Sequence, residues 1–178
     1  IYNRGDDLEV DNGEITNSAI GISVIGSDAN IFDSKIDGTY TSGIQISGDF
    51  PNIYNNNISD GTYYGIKISS GNNAQVYSNE ISDVESRGIY LDTMTGSYVQ
   101  GNIIEGDENS QSIYLSSSDL IYVYNNEMSN SETAVYLSYV TNSEFTNNQI
   151  NANDYGFILG GSDGNSIISN NLSEIYSP

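Results

Sequence analysis

The chain of 178 residues sets 24 Asp and Glu against four Lys and Arg, a net charge of −20, and contains no His and no Cys. Such a surface repels nucleic acid and polyanionic glycans and attracts divalent cations. Without Cys there are no disulfides, thiolate metal sites or Cys nucleophiles, and without His there are no His-based triads or His metal sites.

In chain order, residues 1–9 offer no amphipathic helix, and only Arg4 to Asp7 look able to block a first strand edge. From Val10 to Leu172 two short phrases alternate. The first is Gly21-Ile22-Ser23-Val24, returning as Gly43-Ile44-Gln45-Ile46, Gly65-Ile66-Lys67-Ile68, Gly88-Ile89-Tyr90-Leu91, Ser112-Ile113-Tyr114-Leu115, Ala134-Val135-Tyr136-Leu137 and Gly156-Phe157-Ile158-Leu159. Its first apolar residue steps by 22, 22, 23, 24, 22 and 22. The second phrase, apolar-x-x-Asn-x-apolar, runs in phase as Ile53/Asn56/Ile58, Val76/Asn79/Ile81, Val99/Asn102/Ile104, Val123/Asn126/Met128, Phe145/Asn148/Ile150 and Ile167/Asn170/Leu172. Degenerate copies, Val10/Gly13/Ile15 and Ile31/Ser34/Ile36, precede these. No apolar run nears the roughly 20 residues of a membrane-spanning helix, so no membrane insertion is expected. Residues 173–178 offer no helical cap, and only Pro178 looks blocking at that end.

A fixed period of this size predicts a solenoid. Within each repeat the apolar residues sit at i and i+2, which is strand periodicity, and Asn, Gly, Ser and β-branched residues replace helix formers. The expected fold is therefore all-β, a right-handed parallel β-helix of about eight rungs of 22–24 residues. It forms a single domain over 1–178, with the repeats at about 10–172. Ile22, Ile44, Ile66, Ile89, Ile113, Val135 and Phe157 should form one internal column. In the second phrase the two apolar residues lie five apart, so the chain must bend between them. Asn suits that bend, because it tolerates the left-handed region and its amide satisfies turn backbone groups. Asn56, Asn79, Asn102, Asn126, Asn148 and Asn170 should stack as a ladder at roughly 4.8 Å, ending on the N-terminal side at Gly13 and Ser34.

These phrases resemble the parallel β-helix repeats of the carbohydrate-binding and sugar-hydrolase family, the fold of pectate lyases, polygalacturonases and alginate epimerases. The resemblance covers nearly the whole chain and implies the coil, which in that family hosts lyases, hydrolases, epimerases, adhesins and structural stalks alike. The polygalacturonase-like pattern implies Gly-His-Gly and Arg-Ile-Lys elements, and both are absent here. The lyase-like pattern implies a basic proton abstractor beside calcium-holding carboxylates, for which Arg4, Lys35, Lys67 and Arg87 are the only bases. Lys67 reads more simply as a solvated strand residue with Gln45 below and Tyr90 above. Asp60 and Asp83 occupy equivalent places in adjacent rungs and could serve as a glycosidase pair if held ~5–9.5 Å apart, although any acidic column creates such pairs. Loops are too short to wall a deep cleft, and no enzymatic activity is expected.

Gly160-Gly161-Ser162-Asp163-Gly164-Asn165 is similar to the calcium turn of nonapeptide β-rolls, but it occurs once and reads as an ordinary turn. The loop Glu105 to Gln111 and the pair Asp6/Asp7 offer hard oxygen ligands for a weak structural calcium, and no other cofactor is expected. Tyr90, Tyr114, Tyr136 and Ile158 should form an outward strip. Phe32, Tyr54, Tyr77 and Tyr124 should form a second, interrupted column. Such columns stabilise strand pairs by ~0.2–1 kcal/mol each and also suit contact with protein or glycan. Two sequons, Asn57-Ile58-Ser59 and Asn171-Leu172-Ser173, mark Asn57 and Asn171 for N-glycosylation.

The function expected first is an extracellular or cell-surface structural unit, such as a sheath, surface-layer, filament or stalk subunit. Its partner would be copies of itself, joined end to end or laterally. The alternative is a non-catalytic glycan-binding module of a secreted or surface protein, with a polysaccharide lyase or hydrolase third. An acidic surface also fits a cytoplasmic protein of a salt-adapted cell. The start at Ile1 reads as a processed mature chain or a segment of a longer one.

Overall fold

The computed structural model describes residues 1–60, 63–151 and 153–176. Among these residues the chain forms 24 short strands and no helix. Every third strand joins the same sheet, so three parallel sheets, A, B and C, of eight strands each wind into a β-helix of eight rungs. One rung runs through Gln111–Ser116 in sheet A, Tyr122–Tyr124 in sheet B and Glu127–Ser129 in sheet C.

The repeat phase becomes strand register. Ile22, Ile44, Ile66, Ile89, Ile113, Val135 and Phe157 pair in succession along sheet A. Sheets B and C add the inward columns from Val10 to Phe145 and from Ile36 to Ile150. Nearly all of these side chains are fully buried. Each such Ile, Val, Leu or Phe contributes about 1.5–3 kcal/mol, so stability accumulates rung by rung rather than at one centre. The steps of 23 and 24 residues are absorbed between the three inward columns. Strands Tyr64–Asn72 and Arg87–Thr95 lengthen to nine residues. The excursion after Glu105 folds on itself, with Ser110 N–H donating to the Asp107 carbonyl at 2.9 Å and Asp107 N–H to Ser110 Oγ at 2.8 Å.

The N-terminal segment departs from expectation. Tyr2–Arg4 is a strand paired with Ile20–Ile25, so residues 1–9 open the first rung instead of blocking it. Three backbone positions find in-register partners there, and Arg4 turns its Nε onto the Tyr2 hydroxyl at 2.6 Å. Pro178, expected to block the other end, lies outside the described residues. No helix of the described residues is long and apolar enough to cross a membrane.

Candidate functional site

The turn between sheets B and C carries the asparagine column. Each Asn donates its amide N–H to Oδ1 of the next, from Asn56 through Asn79, Asn102, Asn126 and Asn148 to Asn170, at 2.8–3.0 Å. The same Oδ1 accepts the backbone N–H of the preceding Asn, while Nδ2 also reaches a core carbonyl one rung back, as Asn102 does to Val76 at 3.0 Å. Two expectations need correction. Ser34 does not end the ladder: its N–H donates to Asn56 Oδ1, and its Oγ accepts Gly13 N–H at 3.0 Å. A hydroxyl still supplies an acceptor, so the column ends at Gly13, which has no side chain. Nor is the ladder Asn the left-handed residue; that is the residue before it, among them Asn55, Ser78, Gly101, Asn125 and Asn147. The backbone reversal and the side-chain bonding thus fall on neighbouring residues.

Shorter ladders at other turns were not foreseen. Ser97 accepts from Ala74 N–H, Ser143 from Ile121 N–H, Ser118 from Met94 N–H, and Asn153 from Ser131 N–H, at 2.9–3.1 Å. Their signal is a Ser or Asn recurring in phase just outside a strand, which a Ser-rich composition hides.

The outer face of sheet A concentrates the chain's cations. Tyr90, Tyr114, Tyr136 and Ile158 are in register, as expected. Tyr114 and Tyr136 stack at 4.9 Å, whereas Tyr90 meets Tyr114 edge-on at 5.3 Å. Tyr64 extends the strip, 5.6 Å from Tyr90. Lys67 is not simply solvated: its Nζ lies 5.1 Å from the Tyr64 ring and 5.8 Å from Tyr90. The Arg87 guanidinium lies 3.9 Å over Tyr114 and 4.7 Å from Tyr90, and Nη1 donates to the Tyr64 hydroxyl at 3.3 Å. Two of the four cations therefore sit among the rings of one strip. Burial, followed by the nearby Asp92 charge, raises the Tyr90 pKa, against the opposing pull of Arg87. The Tyr90 phenol accordingly stays neutral at ordinary pH.

Sheet B carries a second aromatic face. Phe32, Tyr54 and Tyr77 stack at 4.9–5.0 Å, Gln100 takes the next place, and Tyr124 follows. The Tyr124 hydroxyl donates to Gln100 Oε1 at 2.7 Å. A neighbouring outward column, not foreseen from sequence, stacks Tyr98 on Tyr122 at 5.0 Å.

The remaining candidates resolve into turns and surface. Asp60 and Asp83 both hold left-handed turn positions, φ 62° and 54°. Asp6 accepts from Ser27 N–H, and Asp7 is itself left-handed. In the Gly160–Asn165 turn, Ser162 accepts Val140 N–H and Asn165 accepts Ser143 N–H, the pattern of the other rungs. Asp83, Asp107, Glu108 and Asp154 line an open depression of about 570 Å³. Among the described residues no three His, Cys, Asp or Glu converge closely enough to hold an ion. Asn57 and Asn171 are exposed and lie in one outward column of sheet C, with Asn57 Nδ2 3.3 Å from Glu80 Oε2.

Similar structures share this coil. A point mutant of the periplasmic alginate epimerase AlgG superposes with TM-score 0.82 at 18% identity, covering 96% of this chain and 47% of that one. AlgG itself gives TM-score 0.69 at 19% identity and a second point mutant 0.73 at 21%, each covering 99% of this chain and 47% of theirs. The chain thus spans about half the length of these proteins, and the likeness at such identity is one of fold. No curated protein matches the sequence. The family model described as periplasmic copper-binding protein (NosD) matches residues 14–176. Copper favours imidazole, thiolate and thioether donors, and these residues do not supply them. His and Cys are absent from the chain, and Met94 and Met128, its two methionines, are buried in the core. The match nonetheless spans the coil almost from end to end, and the chain belongs to the NosD family.

Proposed function

We propose that the chain is a non-catalytic glycan-binding β-helix working on the outer side of the cell membrane, in the envelope or beyond it. The observation that carries this reading is the sheet A strip, where Lys67 and Arg87 lie among Tyr64, Tyr90 and Tyr114. Ring faces and edges suit the apolar faces of sugars, and the two cations suit a sugar carboxylate. The location is supported by the family's description as periplasmic. The similar structures are those of an alginate epimerase, which makes a uronate chain the first ligand to try. The net charge of −20 opposes a polyanion elsewhere on the surface, so its binding is expected only at the two cations of the strip and is measured in screening salt. The absence of His and the scarcity of bases favour binding without turnover. Titration calorimetry with alginate and neutral oligosaccharides tests this. Arg87→Ala and Tyr114→Ala should each weaken alginate binding about 5- to 30-fold, the equivalent of about 1–2 kcal/mol for a lost carboxylate or ring contact with the sugar. Lys35→Ala, on sheet C, should change nothing. Equal affinity in wild type and both strip variants would refute the site, and altered uronate composition after incubation would refute the lack of turnover.

A further inference from the structure

Rings stacked face to face along a coil, as Phe32, Tyr54 and Tyr77 are on sheet B, present only edges and hydroxyls to a ligand. Unlike the sheet A strip, where Tyr90 meets Tyr114 edge-on and two cations add charge, such a column opens a ring face only where it breaks. On sheet B the break falls at Gln100, between Tyr77 and Tyr124. Tyr77 stacks on Tyr54 on one side alone, and among the described residues Tyr124 stacks on no ring. A depression of about 240 Å³ lies there, lined by Gln75, Val76, Tyr77, Tyr98, Gln100 and Tyr124.

We propose that this break is a second binding site, taking one ring of a neutral pyranose chain between Tyr77 and Tyr124. The site is independent of the sheet A strip. Spacing supports it: rings two strands apart are separated by roughly 9.6 Å at 4.8 Å per strand. A clamped ring needs roughly 3.5–4.0 Å on each side, and the thickness of a puckered sugar ring takes up the remainder. The rim supplies neutral donors and acceptors, namely the Gln75 and Gln100 amides and the Tyr98 and Tyr124 hydroxyls. The bond from Tyr124 to Gln100 is exchanged for bonds to sugar hydroxyls on entry. Charge sets the class. The outward positions around the slot, from Asn52 and Tyr54 to Glu144 and Thr146, include no Lys or Arg, and Glu144 is the one charged side chain among them. A uronate has no counter-ion there; a neutral hexose or pentose chain needs none.

Titrations of the chain with cellohexaose, xylohexaose and mannohexaose, followed by tyrosine ring shifts in NMR, test the site. Binding of at least one is expected, with the Tyr77 and Tyr124 signals moving. Gln100→Tyr should abolish it, because a tyrosine there completes the column without disturbing the fold. Tyr124→Ala should weaken binding at least tenfold, and Arg87→Ala should leave it unchanged, which separates this site from the sheet A strip. Unchanged affinity in Gln100→Tyr, no response to any of the three sugars, or occupation by indole in preference to them would each overturn the assignment.

Discussion

Asn102→Ala should destabilise the coil by roughly 2–6 kcal/mol, from two buried backbone groups left unpaired at about 1–3 kcal/mol each. Asn102 Oδ1 is the acceptor for Asn79 N–H at 3.0 Å, and Asn102 Nδ2 is a donor to the Val76 carbonyl at 3.0 Å. Asn102 is fully buried, and rungs above and below close the turn to water. Alanine removes both partners and offers none. Serine is the informative control, because the protein already contains it in this column. Ser34 Oγ accepts Gly13 N–H and donates to the Phe32 carbonyl, each at 3.0 Å. Asn102→Ser should therefore restore the acceptor for Asn79 and recover about half of the loss. Urea unfolding of the three proteins measures the series. An alanine variant within about 0.5 kcal/mol of wild type, the range of ordinary surface changes, would show that the ladder follows the fold without supporting it.

The coil is legible because each rung repeats the same constraints. Ile44, Ile66 and Ile89 keep phase in the sequence, and in a parallel coil phase becomes register without any further information. The ladder is legible for the same reason, since one residue type holds one place six times from Asn56 to Asn170. What period alone leaves open is the division of labour inside the turn. Asn55 and Asn56 are identical residues with different tasks, one taking φ 54° and the other the buried bonds. The candidate sites were half legible. A column of Tyr90, Tyr114 and Tyr136 follows from spacing, but the approach of Arg87 to Tyr114 does not. Arg87 pairs in register with Tyr64 and Gln111 and reaches the ring diagonally, a matter of rotamer and side-chain length. The break at Gln100 was visible as a missing tyrosine. Its meaning depends on the direction in which the neighbouring rings face, which only the folded chain supplies.

Gly65→Val should cost about 3 kcal/mol or more, at or above the upper end of the range for added bulk in a packed interior, and Gly65→Ala about 1 kcal/mol, at its lower end. The glycine that opens the first phrase is set by its own rung and the next one. A Cβ at Gly65 would lie 2.6 Å from the Gly88 carbonyl oxygen and 2.7 Å from Ile81 Cγ2, and Gly43 faces the same pair of obstacles from Gly65 and Ile58. One obstacle is backbone, fixed by ladder bonds at the strand spacing of roughly 4.8 Å; the other is a branched side chain with little rotamer freedom. Neither can withdraw far. A single methyl is nevertheless tolerable, since Ala134 and Ser112 occupy the same column and are fully buried. The two γ-methyls of valine demand a shift that hydrogen bonds to both neighbouring strands resist. Paired urea midpoints for Gly65→Ala and Gly65→Val decide the matter. A valine variant as stable as the alanine variant would show that rungs separate easily, and would remove close backbone approach as the reason this phrase begins with glycine.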